Sequence, residues 1–293
     1  METPIRKKSP IEGPRRLVVS GNSLAVWERA GVDPPVLFLH GASFHSRCWD
    51  EVIARIPQRR CVALDLRGHG QSSRPDTPCK WREFGQDAAE VAHLLGLRGA
   101  TGVGHSLGGH AIALASAIRP EAFAEAVLID PVILPESSYV GPGPEFSAIL
   151  RRRNRWRDWS EFFYRIKDRA PFDKWHRKVL LDYCEYGLLA APDGDGLELA
   201  CPPFIEAAIY RDSTDPDANI YAEIARVKAA ATVVRARASL QETAGFSASR
   251  TAADLVSRFT NAVDVYLPQC SHFLPMEAPH LVADLIMGRK IIH

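Results

Sequence analysis

Short apolar runs punctuate this chain, and the segments between them carry apolar residues at helical spacing. The runs at 36–40, 60–66, 100–105, 126–131, 231–236 and 263–267 read as strands buried on both faces. Between them Trp49 to Ile56, Phe84 to Leu95, Ala252 to Phe259 and Pro279 to Ile286 read as helices. Strand and helix in alternation predict an α/β fold, a mostly parallel sheet with helices on both faces. At the front, Leu17 to Ser20 and Ser23 to Trp27 flank Gly21-Asn22 and predict a hairpin. No internal repeat or low-complexity tract interrupts the pattern.

Between Asp130 and Thr232 the strand pattern lapses for far longer than an ordinary connection. That stretch is rich in aromatic residues. Trp156, Trp159, Phe163 and Ile166 fall at helical spacing and predict a packed stripe, with a minority of the aromatics left to line a cavity. The basic run Arg151 to Arg157 reads as the solvated face of the same helix.

Composition narrows the function classes. At 293 residues with a formal net charge of +1, the chain gives no electrostatic reason to expect nucleic acid or an anionic membrane surface. Met1 to Pro14 is basic and polar with no apolar stretch after it, and no run is long enough to span a bilayer, so a cytoplasmic location is expected. The cysteines at 48, 61, 79, 184, 201 and 270 lack paired metal spacing. Free thiols and no metal are expected, and in its apolar run Cys61 reads as a small hydrophobe.

The densest chemical signal is Gly104-His105-Ser106-Leu107-Gly108-Gly109, after the run at 100–103 and before the helical segment Leu107 to Ile118. A serine with glycines two residues to either side fits a sharp strand-to-helix turn that lifts its hydroxyl above a sheet. Three companions follow in order: His40-Gly41-Ala42 after an apolar run, Asp65-Leu66-Arg67-Gly68-His69-Gly70 after the next, and Cys270-Ser271-His272-Phe273-Leu274-Pro275 near the C-terminus. On these motifs the chain resembles the α/β-hydrolases, in the branch of single-chain esterases, lactonases and epoxide hydrolases, over roughly residues 17 to 135 and 228 to 290.

The resemblance implies an α/β-hydrolase fold with a helical lid inserted in the long gap. It divides the chain into a tail (1–16), a first core part (17–134), a lid (135–227) and a second core part (228–293). It also implies no cofactor and a small-molecule substrate, and leaves the oligomeric state open. Ser106 is the expected nucleophile and His272 the base that takes its proton. The backbone N–H groups of Ala42 and Leu107 are the expected oxyanion hole, with Ser43 as a lesser candidate through its side chain. His69, His93, His105 and His110 read as structural, with His105 facing away from the serine. Asp65 is expected to cap a turn and pair with Arg67.

The acid departs from the family pattern. Relatives carry it in a Gly-x-x-Asp setting after a late strand, where this chain has Val234 to Gln241 without a carboxylate. Asp130, at a strand end as in certain haloalkane dehalogenases, is favoured over Glu242. The resemblance points away from alkyl-enzyme chemistry, because branch members with that mechanism carry aspartate at the elbow. The expected reaction is acyl-enzyme hydrolysis of a carboxylic ester, lactone or related acyl bond of a small apolar or aromatic substrate. A carbon–carbon bond hydrolase of the same fold and a ligand receptor without turnover are the alternatives.

Overall fold

A computed structural model describes residues 9–75, 77–237 and 247–289. Its centre is an eight-stranded sheet made of β1 (Glu12–Val19), β2 (Asn22–Arg29), β3 (Val32–Leu39), β4 (Arg59–Leu64), β5 (Ala100–His105), β6 (Phe123–Ile129), β10 (Ala230–Ala236) and β11 (Ala262–Leu267). The order is β1-β2-β4-β3-β5-β6-β10-β11. β1 and β2 are antiparallel neighbours, β2 meets β4 antiparallel, and every later pairing is parallel. The hairpin turn is Ser20-Gly21, one residue earlier than Gly21-Asn22; both residues have positive φ, 48° and 79°, as the tight turn that matches strand twist requires.

The continuous apolar runs have the reason the pattern suggested. Leu37 and Leu39 of β3 enter one buried cluster while Val36 and Phe38 enter the other, and β4 divides Val62 and Leu64 from Cys61 and Ala63 in the same way. α2 (Trp81–Leu94) and α3 (Leu107–Ile118) cover the first face, α1 (Asp50–Ile53) and α10 (Pro279–Ile286) the second. A short α9 (Leu274–Glu277) precedes α10.

The segment between β6 and β10 holds α4 (Ser147–Leu150), α5 (Trp159–Ile166), α6 (Arg177–Tyr186), α7 (Pro203–Arg211) and α8 (Tyr221–Ile224). It also holds a small antiparallel sheet, β7 (Arg155–Trp156), β9 (Leu197–Leu199) and β8 (Leu188–Ala190), where no strand was expected. Strands of two or three residues are too short to display a period of two. Trp156 therefore sits on a strand, and only Trp159, Phe163 and Ile166 share a helix.

Arg151 to Arg157 is likewise no helix face. Arg152 reaches buried Glu206 at 2.6 Å, Arg153 pairs with Glu161, Arg155 with Asp193 and Arg157 with Asp158. The helix expected over Ala252 to Phe259 shrinks to a 3-10 turn, Leu255–Arg258, because the chain before it is tied to the sheet through Thr251 Oγ1 to Pro131 O and Ala252 N to Ile133 O. All six cysteines are free and buried. Among the described residues no helix is long and apolar enough to cross a membrane.

Candidate active site

The carboxyl ends of the parallel strands deliver the chemistry to one edge of the sheet, the general location of sites in open α/β folds. Ser106 joins β5 to α3 with φ 55° and ψ −117°, a conformation that side chains rarely tolerate. The flanking glycines explain how the turn closes: a Cβ on Gly104 would fall on the Gly108 carbonyl, and one on Gly108 on the Leu39 carbonyl. Ser106 N donates to Ile129 O, and Ser106 O accepts from the N–H groups of Gly109, His110 and Val132. The elbow is thereby tied to the end of β6.

Asp130 follows β6 at φ 43° and is fully buried. Its Oδ2 lies 2.5 Å from His272 Nδ1, and His272 Nε2 lies 3.1 Å from Ser106 Oγ. With the Nδ1 proton directed at Asp130, Nε2 is left to accept from the serine hydroxyl. Asp130 Oδ1 accepts from Ala236 N (3.0 Å), Ser249 Oγ (2.5 Å) and Thr251 Oγ1 (3.3 Å). Burial pushes this carboxyl up, but the hydrogen bond and charge of His272, with the bonds from Ser249 and Ala236, outweigh it and hold the group below the usual carboxylate range. The end of β10, where relatives carry a carboxylate, here supplies the Ala236 N–H. Glu242 lies outside the described residues.

Two loops steady the ring. Ser271 Oγ donates to Glu277 Oε1 at 2.6 Å and accepts from Phe273 N, and His272 N donates to Ser247 O. His105 turns its ring against His272 and donates through Nε2 to the His272 carbonyl at 2.7 Å. Burial, with the neighbouring His272, drives the His105 pKa down to about 3, so it serves as a neutral donor.

The third loop carries Ala42. His40 Nε2 accepts from Leu66 N, and His69 Nε2 accepts from Ser43 N, so two buried imidazoles fix this backbone. Ser43 Oγ has both the Ala42 carbonyl, at 2.6 Å, and the Glu206 carboxylate as acceptors, so its proton has partners other than an oxyanion. Asp65 does not pair with Arg67: it accepts from Trp27 Nε1, Ser46 N and Gln71 N, while Arg67 forms a fork with Asp87, both bonds 2.6 Å. Ala42 and Leu107 line the same cavity as Ser106 and His272. Leu107 opens α3, so its N–H has no carbonyl one turn back within the helix and stands at the positive end of the helix dipole.

The cavity is narrow, about 30 Å³, and its walls are mainly Phe44, Trp81, Val132, Ile209 and Phe273. A ligand larger than one or two waters enters only when lining side chains move. Arg250 and Tyr210 also face it. The sequence reading missed Ser249, Arg250 and Thr251; nothing local marks them, since their roles arise from a loop returning to the end of β6.

A sequence model described as "Alpha/beta hydrolase family" matches residues 36–285. The chain belongs to that family. Among its curated relatives, 2-(acetamidomethylene)succinate hydrolase of Mesorhizobium japonicum is 33% identical over 117 residues, 40% of this chain and 42% of that protein. Non-heme chloroperoxidase of Streptomyces lividans is 36% identical over 101 residues, 33% of this chain and 37% of that protein. The chain thus matches only about two fifths of the length of these relatives. The crystal structure of E-2-(acetamidomethylene)succinate hydrolase superposes with a TM-score of 0.73 at 22% identity, covering 94% of this chain and 97% of the other. The thioesterase domain from the curacin biosynthetic pathway gives 0.71 at 20% identity, covering 94% and 99%. Likeness at these identities establishes the α/β-hydrolase fold.

Proposed function

We propose that this chain is a serine hydrolase that cleaves a carboxylic ester, lactone or related acyl bond of a small substrate through an acyl-enzyme. One observation carries the reading: Asp130, His272 and Ser106 stand in a continuous hydrogen-bonded line, at 2.5 and 3.1 Å, beside a cavity that both expected oxyanion donors line. Ser106 Oγ attacks the acyl carbon as His272 Nε2 takes its proton, and the N–H groups of Ala42 and Leu107 hold the oxygen that becomes negative. The imidazolium, stabilised by Asp130, protonates the leaving group as its bond to the acyl carbon breaks. Water then attacks the acyl-enzyme, gives its proton to the same Nε2, and releases the acid and free Ser106.

The relatives' names span a hydrolase, a chloroperoxidase and a thioesterase domain, so the substrate class has to come from this cavity. Its apolar walls favour an apolar or aromatic portion. Residues 135–227, packed over the loops of Phe44 and Phe273 through Trp175 and Tyr183, would act as the lid. The lack of a carboxylate over Val234 to Gln241 would favour a receptor without turnover, but Asp130 takes the acid's role in the proposed mechanism.

A fluorophosphonate probe tests the reading directly. Wild type is expected to be labelled at one site, with labelling abolished in Ser106→Ala and slowed at least about a thousandfold in His272→Gln, the scale of a lost triad member. Wild-type labelling no faster than His272→Gln would refute an activated serine.

A further inference from the structure

Arg250 differs from Arg47, Arg67 and Arg152, which are also buried or half-buried, in what it meets. Arg47 pairs with Asp50 at 2.7 Å, Arg67 with Asp87 at 2.6 Å and Arg152 with Glu206 at 2.6 Å. Among the described residues, Arg250 has no carboxylate within ion-pair reach, and its side chain donates one long bond, 3.4 Å, from Nη2 to Ser213 Oγ. Guanidinium stays charged in proteins and carries five donors, so among the described residues this half-buried one, with a single neutral acceptor, is incompletely compensated. Burial accordingly lowers its affinity for its proton, with Tyr210 and Tyr139 acting the other way.

Its place in the chain ties it to the reaction site. On either side, Ser249 directs its hydroxyl at Asp130 Oδ1 and Thr251 donates to Pro131 O with its oxygen 3.3 Å from the same Oδ1, while Ser249 N is held by Arg237 O. Arg250 between them lines the cavity that contains Ser106 and His272. The same short loop thus holds the carboxylate that orients the base and sets an arginine in the cavity wall. The remaining walls are largely apolar, a setting in which a charge pair is stronger than in water.

We propose that Arg250 is an anion subsite of this cavity, and that the substrate carries a carboxylate, remote from the acyl carbon under attack, which Arg250 grips. The word substrate here rests on the serine-hydrolase reading; the subsite does not. A planar guanidinium matches a carboxylate through two parallel N–H···O bonds, giving position as well as attraction. The apolar walls would hold the hydrocarbon between the two ends.

The test uses a matched pair of probes, benzoate and the neutral benzamide, titrated calorimetrically into the full chain carrying Ser106→Ala. Benzoate is expected to bind at least about tenfold more tightly. Adding Arg250→Met should bring the two within about twofold, whereas adding Arg250→Lys should keep the preference but weaken benzoate about three- to tenfold, because an ammonium lacks the fork. Equal binding of the two probes with Arg250 present, or binding of neither at about 10 mM, overturns the subsite. So does a preference that survives Arg250→Met, which would locate the carboxylate at the oxyanion donors. Should Arg250→Met fail to fold, Arg250→Lys decides: benzoate affinity unchanged from the arginine protein counts against the proposal. Calorimetry needs no turnover, so a failure here is distinct from failure of fluorophosphonate labelling, which would strike the hydrolase reading alone.

Discussion

Asp130 places a fully buried carboxylate in reach of one imidazole nitrogen and three further donors. Its folded pKa is depressed, so its contribution is present above the ordinary carboxylate range and is lost as pH falls through the lowered value. Asp130→Asn is expected to cost up to about ten-thousandfold in labelling or ester turnover, the loss that follows when the wrong tautomer is held. Ser249→Ala removes a single donor and should cost only about three- to tenfold. It should also move any acid-side fall due to Asp130 to higher pH, since one of the bonds favouring the ionised form is gone. A profile that keeps its shape would assign Ser249 a packing role only. Asp130 itself was legible in the sequence as a strand-end carboxylate; Ser249 and Thr251 were not, because their partner lies more than a hundred residues away.

At the scale of elements, the elbow depends on how closely α3 approaches β3. Gly108 packs where a Cβ would meet the backbone of Leu39 and His40, which cannot step aside as a side chain would. Gly108→Ala is therefore expected to displace the start of α3, slow fluorophosphonate labelling at least about a hundredfold and lower the melting temperature. Gly96 is the control. It has open space around its Cβ position but a φ of 62°, so Gly96→Ala should cost about 1 kcal/mol in stability and leave labelling intact. Equal loss of labelling in the two variants would show that global destabilisation, not elbow geometry, is being read. The glycine spacing was visible in the sequence because the steric demand of this turn is local. The short β7, β8 and β9 were not, since their pairing partners rather than their own periodicity make them strands.

Across the whole molecule there are three buried clusters, one on each sheet face and an aromatic one that joins the insertion to Phe44 and Phe273; the first and third line the cavity. Beside the third lies an acidic group in which Asp182 of α6 faces Asp50, Glu51 and Glu185, with Arg47 as its principal cation. Burial first, then Asp50, raises the Asp182 pKa to about 8. A folded pKa above the unfolded one means that its stabilising share is complete below the ordinary carboxylate range and fades as pH rises toward 8. Asp182→Asn should thus melt higher than wild type at alkaline pH and close to it near the ordinary carboxylate range. After discounting for partial exposure, about 1–2 kcal/mol separates the extremes, a gain of roughly 2–6 °C by scanning calorimetry. A melting difference independent of pH would mean that the carboxyl is ionised throughout.

By itself the sequence determined the alternation of strands and helices, the elbow at Ser106, the histidine loop and the family, because each rests on a local rule: the period of apolar residues, a steric demand for glycine, or a short motif. Only the tertiary structure decided which groups surround Asp130, that Asp65 leaves Arg67 to Asp87, that the basic run is paired, and that Arg250 faces the cavity. Those outcomes depend on which distant segments the parallel register sets side by side. Hydrogen bonds and ion pairs fall off within a few ångströms, while the chain between their partners leaves no mark of that proximity in its own pattern.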